Sequence, residues 1–550
     1  MDFASQSFEG ASALGVSAGG PSPVGSVREI SGGSSLCRFE VAAMRRLEGH
    51  ADTAVATSGQ VGSQIKIKVG DCWLLGNVRD LKACDAAEGF VEARVDFLGE
   101  GLETPGGGLA DFRRGVTRYP VPGDAVWPVT RADLGMIFEG VDKPHIEIGT
   151  VYPTSDVRAS LLFDALLGKH FALLGSTGTG KSTSAALILH RIIEKAPQGH
   201  IVMLDPHGEY AAAFASTGMI FNVDNLALPY WLMNFEEHCE VLITTEGSDR
   251  EADRDVLAKA MLAARSKNRI AQSLGKLTVD SPVPYLLSDL LTALVGQMGK
   301  LEKAGDLAPY MRLKSKLEEL RGDPRYAFMF SGLMVSDNMA QFIARIFRLP
   351  GQGKPISIID LSGVPSDIVT VVVAVLGRLV FDYAVWSRNE PRRPILLVCE
   401  EAHRYVPSDR VTTGVAVRTI LERIAKEGRK YGVSLGLITQ RPSDLAEGVL
   451  SQCGTIIAMR LNNDRDQAYV RNAMPEGARG FLDSIPALRN RECVICGEGV
   501  SIPIRVRLDD LAPQLRPASD DPLFSQLWTE AGDEDAILER TIHRWRGQGR

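Results

Sequence analysis

A strand, a glycine-rich turn and a helix are written into one run of this sequence. FALL (171–174) is apolar throughout, GSTGTGKS fills Gly175 to Ser182, and TSAALILHRII continues from Thr183 with helical periodicity. The turn satisfies G-x-x-x-x-G-K-[ST] in full, and the flanking strand and helix are the context that the pattern requires. Its glycines let the backbone curl until successive N–H groups point at one anion. The helix that follows adds the positive end of its dipole at the same place. Such a loop commits the chain to an α/β core, because it needs a buried strand behind it and a helix ahead of it. Gly175, Ser176, Thr177, Gly178, Thr179, Gly180, Lys181, Ser182 and Thr183 are therefore expected to hold the phosphates of ATP, with Lys181 reaching the β- and γ-phosphates and the Ser182 hydroxyl on Mg²⁺. The alternative is a glycine-rich turn with an exposed lysine, a chance match with odds on the order of a few per cent from average residue frequencies.

The stretch ILLVCEEAHRYVP, Ile395 to Pro407, carries the second constraint. ILLV reads as a strand buried on both faces, which puts Glu400 and Glu401 at its carboxyl end, the edge where open α/β sheets bind ligands. Beside a phosphate loop, one such carboxylate supports the Mg²⁺ shell and the next orients and polarises the attacking water. Glu400 is assigned to the Mg²⁺ shell, through water, and Glu401 to the attacking water. Acidic residues also favour the first turn of a helix starting near Ala402, and the two readings are compatible. Cys399 reads as strand packing, and His403 as a packing or capping residue.

Other strand ends add candidates. LDPHGEY places Asp205 near Mg²⁺ or the lytic water, or in an Asp-Pro turn. IIDLSG ends a strand at Asp360, with no role assigned to its loop. LITQRPSD ends a strand at Thr439 and Gln440, and an amide there can sense the γ-phosphate if this strand lies beside the glutamate strand. In AKEGRKYGVSL, Arg429 of one subunit can act as an arginine finger in trans if the protein forms a ring. Lys426, Arg429 and Lys430 read equally as a solvated basic helix end. Cys493 and Cys496 in CVIC would point to opposite faces of a strand, and no second C-x-x-C exists, so a zinc site is not expected.

Composition shifts divide the rest. Residues 1–25 are rich in Gly, Ser, Ala and Pro and read as a disordered arm. From 26 to 140, QIKIKV, FVEARVDFL, GVTRYPV and DAVWPV alternate between turn residues, as in a small β-barrel. Residues 141–235 and 346–510 alternate strand and helix, which points to a parallel sheet covered by helices. Residues 236–345 are helical in period and form an insert, in which the basic runs RSKNR and RLKSK read as solvated helix faces in preference to pore-lining helices of a ring. The tail 511–550 is polar and acidic and ends in a helix-like AILERTIHRWRGQGR. A net charge of −7 excludes a globally basic nucleic-acid binder but not a local basic channel. Eight scattered cysteines read as reduced and cytoplasmic. The N-terminus shows no signal-peptide pattern. Ile368 to Trp386 is the most apolar long stretch, but Arg378 and Asp382 within it read as a buried helix, so no membrane association is expected.

HIEIGTVYPTSDVRASLLFDALLGKHFALLGSTGTGKST, DPHGEY, LPYWLMNFEE, IDLSGVP, LLVCEEAHRYVP, KEGRKYGVSLGLITQRPSDL and MRLNNDRDQ occur in this order between about 145 and 508. Together they resemble the HerA family of the HerA/FtsK superfamily, and the 26–140 segment resembles that family's N-terminal β-barrel. The resemblance implies a RecA-like P-loop ATPase core with a helical-bundle insert, preceded by a small β-barrel. It implies a homohexameric ring that translocates duplex DNA, with a nuclease of the NurA type or an antiphage effector docked at the barrel. It maps the Walker A loop to Gly175–Ser182, the Walker B pair to Glu400–Glu401, the sensor to Gln440, the trans arginine to Arg429 and the acidic residue after the second strand to Asp205. Lys169 lies where members can carry a basic residue acting in trans. Against the motor stands a second function, a ring-shaped scaffold that assembles an effector and uses ATP mainly for assembly or control. A membrane-bound pump of the same superfamily is disfavoured by the lack of a transmembrane anchor.

Overall fold

The computed structural model describes residues 21–84, 89–139, 142–298, 307–331, 336–409, 414–474, 478–518, 524–529, 532 and 534–547. The arm expected over 1–25 lies outside them up to residue 20. The chain divides into two compact units, 1–141 with 152–157 and 142–151 with 158–550.

In the first unit, strands β1 (Gly25–Ile30), β2 (Ser34–Glu40), β3 (Gln64–Val69), β4 (Cys72–Ala83), β5 (Phe90–Glu103), β6 (Leu109–Arg114) and β7 (Ala125–Pro128) pair antiparallel. Their order is β2-β1-β7-β3-β4-β5, and β5 pairs back onto β2, so six strands close into a barrel with β6 added outside on β5. Closure removes the open edges that a sheet of this size would otherwise present. Val27, Phe39, Ile65, Ile67, Val78 and Val95 fill the interior. One expected strand is corrected. GVTRYPV has only an isolated bridge at Gly115 and then runs as a turn. Gly115 takes φ +97°, two prolines lack donors, and the Glu100 carboxylate, not a neighbouring strand, accepts the Thr117 N–H at 2.9 Å.

The second unit is built on one sheet. Its strands are β8 (His145–Val151), β9 (Arg158–Leu162), β10 (Phe171–Leu174), β11 (Ile201–Asp205), β12 (Gly218–Phe221), β13 (Ile356–Asp360), β14 (Ile395–Cys399), β15 (Val433–Thr439), β16 (Thr455–Met459), β17 (Glu492–Gly497) and β18 (Ile504–Leu508). They run in the order β12-β13-β11-β14-β15-β10-β16-β17-β18-β8-β9. The run from β12 to β16 is parallel, and its central strands β10, β11, β14, β15 and β16 are buried at every position, as strands covered on both faces must be. The expectation of a parallel sheet is corrected beyond β16, where β17, β18, β8 and β9 add antiparallel. Residues 498–503 between β17 and β18 are too short for a crossover helix, so the chain reverses there.

Helices Lys181–Lys195, Val369–Trp386 and Val415–Tyr431 connect and cover the parallel strands. Val369–Trp386 is long and apolar enough to cross a membrane, yet most of it is buried in the protein. Its Arg378 reaches Glu237 at 2.8 Å and Asp382 at 3.0 Å, an internal ion-pair cluster. Among the described residues between β12 and β13 there are helices and no strand, and Gly247–Ser266, Leu287–Met298 and Ala308–Gly322 pack on one another as a bundle. The reading of RSKNR as a solvated face is corrected at Arg265. This side chain is fully buried, and its guanidinium donates to the carbonyls of Val279, Trp231 and Met233. Arg312 of RLKSK binds Asp253 at 2.7 Å.

Candidate nucleotide site

Parallel strands end on the same edge of the sheet. The loops after β10, β11, β14, β15 and β16 therefore converge, and Asp205, Glu400, Glu401, Thr439 and Gln440 are carried to that edge. The strand expected to carry the amide, β15, lies between β10 and β14.

The phosphate loop turns through two left-handed residues, Gly178 at φ +78° and Gly180 at φ +91°, which only glycine adopts without strain. Helix Lys181–Lys195 starts directly after Gly180, so its unpaired N–H groups face the loop. Neighbouring loops hold the turn. Gly175 N–H donates to Thr439 O at 3.3 Å, Ser176 N–H to Arg460 O at 3.0 Å, and Asn462 N–H to Ser176 Oγ at 3.1 Å.

Lys181 Nζ lies 2.6 Å from Glu400 Oε1 and 3.8 Å from Glu401 Oε1, with all three side chains buried. The other oxygen of Glu400 accepts the Tyr210 hydroxyl at 2.9 Å, and that hydroxyl is also within reach of Ser182. Burial pushes the Glu400 carboxyl up, and Lys181 and Tyr210 only partly offset it. Glu401 sits at φ +50°, a left-handed turn rare for a non-glycine residue and concentrated at functional sites. Its Oε1 is 3.9 Å from His207 Nε2 and its Oε2 is 3.2 Å from His403 Nδ1. Burial pushes the Glu401 carboxyl up, but His403, Lys181 and His207 together hold it below its ordinary value, so it stays ionised. The two neighbouring carboxylates thus titrate in opposite directions, as paired acid and base groups do in many active sites.

Asp205 is fully buried at the end of β11, but its carboxylate is committed to its own loop. Oδ1 accepts His207 N–H at 3.2 Å and Gly208 N–H at 2.9 Å, and Oδ2 accepts Tyr210 N–H at 2.9 Å. This is the Asp-Pro turn reading, and it aims His207 and Tyr210 at the glutamates. Gln440 Oε1 accepts the Thr177 hydroxyl at 2.5 Å, joining the end of β15 to the loop tip. A cavity of about 460 Å³ opens beside this bond, lined by Ser176, Thr177, Gln440, Arg441, Asn463 and Arg465 among others.

Arg429 lies at the opposite, amino-terminal edge of the sheet, ahead of β15. It is exposed there and lines a cavity of about 1070 Å³ with Arg392 and Arg393. It does not approach the phosphate loop of its own chain. Lys169, at the same edge, pairs with Glu498. Burial pushes the Cys399 thiol up to about 12, so it is an inert packing group. No metal-holding cluster of His, Cys, Asp or Glu occurs among the described residues.

Three residues that meet the glutamates were not read as part of the site from the sequence: Tyr210, His207 and His403. Tyr210 and His207 follow Asp205 within DPHGEY, and only the backbone turn on Asp205 shows that they fold back. The loop fits the phosphates of a nucleotide. The glycine cradle is open at Gly178, where a Cβ would meet nothing within 4 Å. The buried Glu401 Oε2 lacks an aligned hydrogen-bond donor, and Lys181 stands beside both carboxylates.

Residues 146–380 match the family model described as helicase HerA, central domain. The chain is 28% identical over 487 residues to the DNA double-strand break repair helicase HerA of Pyrococcus furiosus, covering 79% of this chain and 85% of that protein. It is 26% identical over 412 residues to the protein of the same name from Sulfolobus acidocaldarius, covering 72% and 78%. Among solved structures, VirB4 of Thermoanaerobacter pseudethanolicus aligns with a TM-score of 0.49 at 14% identity, over 68% of this chain and 99% of that one. In its phosphate loop, its glutamate pair and the span 146–380, the chain is similar to the HerA-type ATPases.

Proposed function

We propose that this chain is an ATP-hydrolysing motor that translocates along duplex DNA as a homohexameric ring. The observation that carries the reading is the placement of Lys181 between Glu400 and Glu401, with Gln440 tied to the loop tip at Thr177. The names of the relatives supply the DNA, since two of them are DNA double-strand break repair helicases.

In this reading the loop N–H groups and Lys181 bind the phosphates, and Lys181 leaves Glu400 to do so. Ser182 would hold Mg²⁺, with Glu400 behind it through water once Lys181 has moved. Mg²⁺ supplies charge neutralisation on the phosphate oxygens. Glu401 orients the attacking water and takes its proton, a role that its ionised state suits. Gln440 reports the γ-phosphate, and Arg429 enters from the neighbouring subunit, which its distance from its own loop favours. Asp205 acts by shaping the His207–Tyr210 turn. A nuclease of the NurA type or a defence effector would dock on the β-barrel.

The test is ATP hydrolysis without nucleic acid, with duplex DNA and with single strands, beside Lys181→Ala and Glu401→Gln. Duplex stimulation lost in both variants supports the motor. Hydrolysis indifferent to DNA, with a ring still formed, favours an effector scaffold instead.

A further inference from the structure

His403 occupies the 3₁₀ turn Ala402–Arg404 directly after Glu401, with 15% of its side chain exposed. One ring nitrogen, Nδ1, lies 2.9 Å from Thr439 Oγ1 and 3.2 Å from Glu401 Oε2. Thr439 is the last residue of β15, and its Oγ1 also accepts the Arg441 N–H at 3.1 Å. The next residue, Gln440, accepts from Thr177 at the loop tip. A single imidazole therefore stands between the carboxylate of Glu401 and the strand end that touches the phosphate loop.

The proton on that imidazole follows from its neighbours. A carboxylate 3.2 Å from a bare nitrogen lone pair is repelled, whereas an N–H there is attracted. Nδ1 thus carries the proton and has two acceptors for it, Thr439 Oγ1 and Glu401 Oε2. In this structure the shorter distance goes to Thr439, and Glu401 Oε2 is left without an aligned donor although it is buried. Buried polar atoms without an aligned partner are rare in folded proteins, and a catalytic role is one of their recurring explanations.

We propose that His403 is a positioning residue whose Nδ1–H passes from Thr439 Oγ1 to Glu401 Oε2, fixing Glu401 for hydrolysis when phosphate binding moves Thr177, Gln440 and the end of β15. This rests on the reading of Glu401 as the residue that activates water. The occupied loop pulls on Gln440 through Thr177, Thr439 shifts with it, and the donor is released to the carboxylate. Hydrolysis is thereby tied to a loaded phosphate loop.

The variants His403→Ala, His403→Asn, His403→Gln and Thr439→Val test this, with steady-state ATP hydrolysis, affinity for a fluorescent ATP analogue and thermal melting measured for each. The Asn amide nitrogen falls near the position of Nδ1, while the Gln amide nitrogen falls near Nε2. The expected result is a kcat lowered roughly 10- to 100-fold in His403→Ala and His403→Gln, with KM and nucleotide affinity within about twofold. His403→Asn should recover most of the loss, and the His403→Ala effect should not add to that of Thr439→Val. Equal kcat in all His403 variants and wild type overturns the proposal. So does a common fall in kcat, nucleotide affinity and melting temperature that Asn does not rescue, because that is a packing defect. Glu401→Gln run alongside separates the two levels. If it hydrolyses ATP at the wild-type rate, the reading of Glu401 fails; if it is inactive while His403→Ala is normal, only the role of His403 fails.

Discussion

Lys181 and Glu400 form a buried ion pair, with Nζ 2.6 Å from Oε1 across 219 residues of sequence. The lysine that should grip phosphate is held by the carboxylate that should back the metal. Removing one member leaves the other buried without its partner, a loss that reaches about 3–5 kcal/mol when the remaining group stays charged. Glu400 can lessen that cost by taking a proton, since burial already pushes its carboxyl up. Lys181→Ala should therefore abolish hydrolysis and also lower the melting temperature. Lys181→Ala combined with Glu400→Gln should recover melting but not hydrolysis. Thermal melts and ATPase assays on the three proteins check both parts, and a double variant no more stable than Lys181→Ala would reject the ion-pair account.

Glu401→Gln keeps the shape of the side chain and removes its charge. The left-handed turn at φ +50° belongs to the backbone and does not depend on that charge. The expected outcome is a kcat lower by roughly 10²–10⁴-fold with the nucleotide still bound at near wild-type affinity. Single-turnover hydrolysis and nucleotide titration measure the two separately. A parallel loss of binding would assign Glu401 to holding nucleotide and not to activating water.

The sequence carried most of this architecture because its strongest signals are local. FALLGSTGTGKST is strand, turn and helix by periodicity and glycine placement alone, and ILLVCEE ends a buried strand wherever it lies in the sheet. The lateral order of the strands rests on pairing between distant segments, so β17, β18, β8 and β9 joining antiparallel was not legible. Nor was the retreat of GVTRYPV from the barrel ladder, which depends on the Glu100 carboxylate reaching across to Thr117. The meeting of Lys181 and Glu401 at one edge of the sheet was readable from motif and spacing. His403 was not, because its partners Glu401 and Thr439 meet only when β14 and β15 lie side by side. Asp205 was readable as a strand-end acid, but not as one whose oxygens are all taken by its own loop.

Gly436 sits in the middle of β15 opposite Phe171 of β10. A Cβ there would lie 2.7 Å from Phe171 Cζ and within 3.2 Å of two more ring carbons. The ring is buried and cannot simply swing to solvent. Gly436→Ala should destabilise the protein by about 1–3 kcal/mol, the usual cost of overpacking. It should also lower hydrolysis, because Thr439 ends the same strand and Gln440 follows it directly. Adding Phe171→Leu, which shortens the obstructing side chain, should return part of both losses. Melting temperature and kcat of the single and double variants decide the matter, and an unchanged Gly436→Ala would show that the strand end is not held by this contact.

His238 ties acid sensitivity to the helical insert. It is fully buried, with Nδ1 2.7 Å from the Asn234 carbonyl and Nε2 2.8 Å from the Tyr285 hydroxyl. A carbonyl only accepts, so Nδ1 carries the proton and Nε2 accepts from Tyr285. Burial, with the charges of Arg265 and Arg378 adding, depresses the imidazole from 6.5 to about 3. The unfolded chain therefore binds the proton first as pH falls. The stability this group contributes is complete above its unfolded value of 6.5 and is lost progressively toward pH 3. The slope is about 1.4 kcal/mol per pH unit in that window. Melting temperature should be level between pH 7 and 8 on account of this group and fall below about pH 6. His238→Gln, which cannot take up the proton, should be less stable at neutral pH but show a shallower fall. Carboxylates elsewhere titrate in the same range in both proteins, so the difference between the two slopes isolates His238. Identical slopes would mean that its side chain is already solvated before the insert unfolds.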